Sequence, residues 1–241
     1  MQRQVMAPQT PLILLTRPAD ASARFAVRLA GLCPKPEVMI SPLQEVRFLD
    51  WVPPRTRADA MIFTSQNAVA AAQRAGITGL AYCVGNQTTQ AAAQAGFDAV
   101  SAEGEANALV TRIMAEGPKV LWHLHGVSTR GDVAGRLRAA GFEVDEAVVY
   151  ETADLPLLPA AQAALDGTQP VIVPLFSPKS AQRAAAAVGG ARAPLVVLSL
   201  SSAVDRAAAA IPAVRRLVAR RPDADGMMEI MIQALNQGAL S

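Results

Sequence analysis

Cysteine, histidine and lysine are scarce in this 241-residue chain, and each scarcity closes off a class of function. Cys33 and Cys83 are its two cysteines. They show no metal-like spacing, so the expectation is reduced, buried thiols rather than a disulfide framework or a zinc module. His123 and His125 are its two histidines. They lie two apart on a predicted strand and share its face, but no third ligand is evident nearby in the sequence, so no metal is expected. The three lysines are outnumbered by nineteen arginines, an imbalance read mainly as base composition, although arginine also suits carboxylates. The net charge is +2 and hides no basic block. The largest basic cluster, Arg215-Arg216 with Arg220-Arg221, is too small for a nucleic-acid partner. No run approaches the ~18 apolar residues of a membrane span. Met1 to Thr10 is polar and has no apolar core, so neither a leader nor a membrane partner is expected, and the expected location is the cytoplasm. Glycine-rich phosphate loops and the Gly-x-Ser-x-Gly elbow are also missing.

What is present is core and punctuation. Hydrophobic residues make up 51% of the chain and charged residues 17%, enough for one large domain or two ordinary ones. Short apolar runs alternate with alanine-rich segments of about ten residues, a pattern that reads as βαβ units with parallel sheets. Roughly nine or ten strands are expected.

The organising stretch is Met61-Ile62-Phe63-Thr64-Ser65-Gln66-Asn67-Ala68-Val69: a buried strand, a hydroxyl-bearing turn, then a helix. The device recurs at Val84-Gly85-Asn86-Gln87-Thr88, at Phe176-Ser177-Pro178 and at Leu198-Ser199-Leu200-Ser201-Ser202. Ser and Thr are good helix caps in any α/β protein, which is enough to explain one such turn. Four in a duplicated arrangement point to a ligand with several carboxylates, because a helix N-terminus offers free N–H groups and the positive end of its dipole. The repeat predicts two flavodoxin-like parallel-sheet lobes with a ligand cleft between the C-terminal ends of their strands.

Within this frame, the spacing predicts helices over about 21–30 (Asp20 as cap), 88–95, 130–140, 155–166 and 202–210. Arg17 and Arg130 each stand at a helix entrance and could clamp a carboxylate, or equally serve packing. Tyr150 ends a long predicted strand. It is either a half-buried strand aromatic or a proton donor to a leaving oxygen.

These residues together resemble the uroporphyrinogen-III synthase family from about Leu12 to Leu235. The resemblance is carried by Leu14-Leu15-Thr16-Arg17-Pro18, Phe63-Thr64-Ser65-x-Asn67-Ala68-Val69, Val84-Gly85-Asn86-x-Thr88, Arg130 through Leu137 with Gly141, Val149-Tyr150-x-Thr152, Phe176-Ser177-Pro178 and Leu198-Ser199-x-x-Ser202-Ala203. Each motif is short; their order and spacing are the specific part. The resemblance implies two α/β lobes, residues 1–42 with 150–241 and residues 43–149, joined by a two-stranded extended linker near Pro42–Val46 and Val148–Thr152, with lobe closure on ligand binding. It implies a lyase that cyclises hydroxymethylbilane, a linear tetrapyrrole with eight carboxylates. Water is lost and the last pyrrole ring is inverted through an azafulvene and a spiro-pyrrolenine, without a cofactor. It implies Tyr150 as the catalytic residue. Substrate contacts would come from Arg17, Thr64, Ser65, Gly85, Thr88, His125, Arg130, Ser177, Ser199 and Ser202. His125 stands where the family often has arginine. A monomer is expected. The competing reading is a non-catalytic cytosolic binding protein or sensor for an anionic small molecule; a docking protein would leave the repeated hydroxyl turns without a purpose.

Overall fold

The computed structural model describes residues 10–32, 35–54, 57–116, 120–129 and 131–236. The chain divides into two compact units, Met1–Glu45 with Asp154–Ser241, and Val46–Ala153.

The first unit holds strands β1 (Leu12–Leu15) and β2 (Glu37–Ile40), joined by helix α1 (Ala19–Leu29). After the long excursion through the second unit come α6 (Pro159–Leu165), β9 (Val171–Leu175), α7 (Pro178–Val188), β10 (Leu195–Ser199), α8 (Ser202–Ala207), β11 (Ala213–Val218) and α9 (Ala224–Asn236). The sheet runs β11-β10-β9-β1-β2, and its strand pairs are parallel. Renumbered within the unit, this is the flavodoxin order 2-1-3-4-5. Both sheet faces are covered, which is why β1 is apolar at every position. Leu12 and Leu14 pack with α6, α7 and α8, and Ile13 and Leu15 with α1 and α9. The β1–β9 ladder spans only Leu12↔Val171 and Ile13↔Ile172. Pro174 lies just beyond it and has no N–H to donate, so the sheet loosens toward the C-terminal ends of these two strands.

The second unit holds β4 (Ala60–Phe63), α2 (Gln66–Arg74), β5 (Gly79–Cys83), α3 (Asn86–Gln94), β6 (Phe97–Ser101), α4 (Ala106–Ala115), β7 (Val120–Gly126) and α5 (Val133–Ala139). Its sheet also includes β3 (Gln44–Phe48) and β8 (Glu143–Asp154), in the order β3-β8-β7-β4-β5-β6. Met61, Phe63, Trp122 and Leu124 face α2 and α3. Ala60, Ile62, Tyr82 and Leu121 face α4 and α5. The connections between the units are extended: β3 and β8 each run across the boundary. Leu49 N donates to Val149 O at 3.1 Å and Leu155 N to Leu43 O at 3.0 Å, which makes the pair antiparallel.

Among the described residues there are eleven strands and nine helices. Several predicted helix starts move. Asp20 lies inside α1, and the capping position is Pro18, without a side-chain bond. Helix α3 starts at Asn86 because Gly85 itself occupies the cap. Helix α5 starts at Val133: Asp132 adopts a left-handed conformation (φ 42°) and its carboxylate accepts from Gly135 N at 3.3 Å. Helix α6 waits until Pro159, which is pre-shaped for a first helical turn. Helix α8 starts at Ser202 as expected, capped by Ser201, and ends at Ala207, short of the predicted 210. Gly76 closes α2 with φ 70°, as expected of a glycine past a helix end.

Arg216 ties α8 to β11. Its guanidinium donates to Asp205 Oδ1 (3.2 Å) and to the carbonyls of Ala208 (3.0 Å) and Ile211 (2.6 Å) at the end of α8. Asp205 also accepts from buried Ser199 Oγ at 3.2 Å. Arg216→Leu strands these acceptors and is expected to cost about 2 kcal/mol in urea unfolding; a cost near zero would mean that water replaces the guanidinium.

Candidate active site

The site is built where the strand order of the second unit reverses. In a doubly wound sheet the helices leave on opposite sides at that point, which opens a crevice outside the strand C-termini. Here the reversal lies between β4 and β7, whose pairing ends at Phe63↔Leu124. A cavity of about 700 Å³ opens there. Thr64 and Ser65 line it from the β4 turn, Val84 from the β5 turn, Gly126, Ser128 and Thr129 from the end of β7, and Tyr150 from β8. Glu105, Ala106 and Asn107 close it at the start of α4.

Ser65 is in extended conformation and caps α2, accepting from Asn67 N at 3.2 Å. Ala68 N and Val69 N donate to the Ser65 carbonyl at 3.1 and 3.4 Å, so Gln66 N–H is the first-turn donor of α2 left for a ligand. Tyr150 is partly buried and packs against the core cluster that holds Phe63, Trp122 and Leu124. The hydroxyl end of its ring lies over Gly126: a Cβ built on that glycine would stand 2.6 Å from Tyr150 Cζ and 3.0 Å from its hydroxyl oxygen. Only a residue without a side chain permits this approach. Gly126 was not among the predicted site residues, and a single glycine after a strand carries no signal of such packing.

Of the predicted contacts, Thr64, Ser65 and Tyr150 therefore meet around one cavity. Gly85 caps α3, its carbonyl accepting from Thr89 N at 3.0 Å, and Thr88 is buried in the first turn of that helix. In the first unit, Arg17 follows β1 and Ser177 follows β9, again the strands where the order reverses. The Arg17 guanidinium stacks 4.1 Å from the Phe176 ring centroid. Burial, and then the nearby Arg24, lower its pKa. Ser177 caps α7 in a reciprocal box with Ser180, and Ser202 is exposed at the start of α8. Ser199 is fully buried and bonded to Asp205, so its hydroxyl serves the internal network described above. Arg130 lies outside the described residues, as does Cys33.

His125 does not line the cavity. Strand alternation puts it on the face of His123 and Leu121, toward α5. Its Nδ1 lies 2.8 Å from the Gly126 carbonyl and its Nε2 3.5 Å from Glu146 Oε1. His123 is 2% exposed, and neither of its ring nitrogens has a hydrogen-bond partner. Burial, with His125 acting in the same direction against Glu146, pushes its imidazole down to about 4. Burial raises the Glu146 carboxyl, but Arg138, bonded to Oε2 at 2.8 Å, outweighs it and holds the group below its usual range.

Cys83 ends β5 just before the Gly85 turn, and burial pushes its thiol up to about 11 against an opposing contact from Thr89. Near pH 8 it is expected to alkylate about 100-fold more slowly than a thiol of pKa 9, with the rate rising about tenfold per pH unit. Iodoacetamide labelling read on the Cys83 peptide measures this; labelling as fast as in the unfolded chain would show that the thiol is open to solvent.

A family model described as Uroporphyrinogen-III synthase HemD matches residues 36–229. No curated protein matches the chain. Among solved structures, the uroporphyrinogen-III synthetase from Helicobacter pylori 26695 is similar at 15% identity and a TM-score of 0.62, over 92% of this chain and 98% of that one. A mutant uroporphyrinogen III synthase from Thermus thermophilus aligns at 12% identity and a TM-score of 0.47, over 94% and 99%. The first of these shares the fold. The family model spans most of the sequence, from before β2 to within α9, and the chain belongs to the uroporphyrinogen-III synthase family.

Proposed function

We propose that this chain is a lyase that closes hydroxymethylbilane to uroporphyrinogen III, with loss of water and inversion of the last pyrrole ring. The observation that carries the reading is the cavity at the strand reversal of the second unit, where Thr64, Ser65 and Tyr150 come together. Left alone, the linear tetrapyrrole closes without inversion. The task of the protein is therefore to hold the reacting ends in the productive conformation, which calls for placed donors rather than strong acids or bases.

Tyr150 is the catalytic residue in this reading. Its phenol donates to the departing hydroxyl, which leaves as water. Thr64, Ser65 and the Gln66 N–H of α2 hold carboxylates, helped by the helix dipole. Arg17 and Ser177 do the same from the first unit, with Gly85, Thr88 and Ser202 as further contacts. Arg17 has no carboxylate partner among the described residues, as a side chain reserved for a ligand would not. The two units are the lobes of the enzyme, which works as a cytoplasmic monomer and needs no cofactor.

The test is a coupled assay. Porphobilinogen and its deaminase generate hydroxymethylbilane, the protein is added, and the oxidised porphyrin isomers are separated. Type III product is expected. Type I product alone, with folded protein, would overturn the reading in favour of a binding protein or sensor for an anionic small molecule.

A further inference from the structure

The chain has two histidines in 241 residues, and the fold brings both to one carboxylate. His123 and His125 alternate along β7 with their rings 4.8 Å apart. Glu146 stands on β8 directly across from His123 in the parallel register. Its Oε1 is 3.5 Å from His123 Nδ1 and 3.5 Å from His125 Nε2. No ion pair or hydrogen bond of the proposed reaction uses these groups.

The remaining atoms of the cluster are already committed in ways that leave the three facing atoms free. Arg138 holds Glu146 Oε2 at 2.8 Å, so Oε1 alone turns toward the imidazoles. The Gly126 carbonyl lies 2.8 Å from His125 Nδ1 and can only accept, so that nitrogen carries a proton and Nε2 is the atom left facing the carboxylate. Imidazole nitrogens facing a carboxylate oxygen are bridged by a proton or by a metal ion, and separations of 3.5 Å are longer than a direct hydrogen bond. His123 adds a buried ring with neither nitrogen satisfied, a costly arrangement for a polar side chain 3% exposed. A carbonyl behind one imidazole and an arginine behind the carboxylate are the outer contacts that orient metal ligands.

We propose that His123, His125 and Glu146 form a binding site for a divalent transition-metal ion of the zinc type. Two imidazoles and one carboxylate suit zinc better than calcium or magnesium, which prefer oxygen. Ligand atoms about 2.0–2.1 Å from a tetrahedral zinc stand about 3.4 Å apart, close to both imidazole–carboxylate separations. All three ligand atoms lie within 4.8 Å of one another, and the wider gap closes by rotation of one ring about a soft torsion. Glu146 is 34% exposed, which gives the ion a way in and leaves the fourth position to water. Arg138 adds a positive charge beside the site, so the ion exchanges rather than being locked in as in a zinc finger. The site lies behind Gly126 and joins β7 to β8, the strands that carry Gly126 and Tyr150. It does not depend on the proposed reaction.

The test uses the untagged full chain stripped with a chelator. Zinc titration by calorimetry is expected to show one equivalent bound, and His125→Gln and Glu146→Gln are each expected to weaken it at least about tenfold. In case a variant misfolds, the wild-type protein supplies a second readout. With only two histidines, its imidazole nitrogen resonances are assignable, and zinc is expected to shift both sets. Absence of stoichiometric binding by folded protein, binding unchanged in both variants, or unshifted imidazole resonances would each overturn the proposal.

Discussion

Gly126→Ala is expected to reduce kcat about 10²-fold while leaving the protein folded. A methyl group at this position would stand 2.6 Å from Cζ and 2.7 Å from Cε2 of Tyr150, inside van der Waals contact. Carbon atoms settle at about 3.5–4.0 Å, so the ring must move by about 1 Å. Misplacing a reacting group by that distance can cost about 10² in rate. The ring is only partly buried and has the cavity to move into, so the stability cost stays near 1 kcal/mol. Tyr150→Phe keeps the ring and removes only the hydroxyl, and it is expected to lower kcat by a similar factor with KM little changed. Both variants are read in the isomer assay alongside a urea melt. A wild-type rate in Tyr150→Phe would remove the tyrosine from the chemistry. A wild-type rate in Gly126→Ala alone would mean that the ring works from another position.

Phe63→Ala is expected to produce the largest stability loss, about 3–5 kcal/mol. Phe63 is 0% exposed, ends β4 immediately before the Thr64-Ser65 turn, and meets Phe97 edge to face at 5.1 Å. Its removal leaves a cavity that β-strands on both sides cannot collapse to fill. Both tryptophans of the chain, Trp51 and Trp122, belong to the second unit, so their fluorescence reports that unit specifically. The expected result is a tryptophan transition moved to lower urea, with the first unit's transition in far-ultraviolet circular dichroism unchanged. A loss under about 1 kcal/mol would show that neighbouring side chains refill the space. Two compact units are expected to unfold in separate transitions, so the fluorescence and dichroism curves are fitted separately.

Much of the fold was legible because its signals are local. The continuous apolar runs at Leu12–Leu15 and Ala60–Phe63 marked strands covered on both faces, and Gly76 marked a helix end. Ser177-Pro178 marked a helix start, which the structure caps reciprocally with Ser180. The errors fall where local chemistry had two solutions. Asp132 could continue a helix or cap one, and a left-handed backbone at that residue decided for the cap. The segment before Pro159 could start a helix or stay extended, and the proline set the first helical turn. Pairing across strands was beyond local signals. Glu146 is 21 residues from His125, and nothing in the sequence links it to the histidines; the parallel register of β7 with β8 does so.

The sequence by itself determined the βαβ rhythm, the hydroxyl turns after the strands and the family motifs, because each depends on residues within one helical turn or one strand. Tertiary structure alone decided which turns meet. Thr64 and Ser65 line a cavity with Tyr150, 85 or more positions away, because β4 and β7 are neighbours where the strand order reverses and β8 lies beside β7. It also decided the face on which His125 lies and the internal bond that buries Ser199. Alternation along a strand assigns a side chain to one of two faces, but only the packed sheet settles which face borders the cavity and which borders α5.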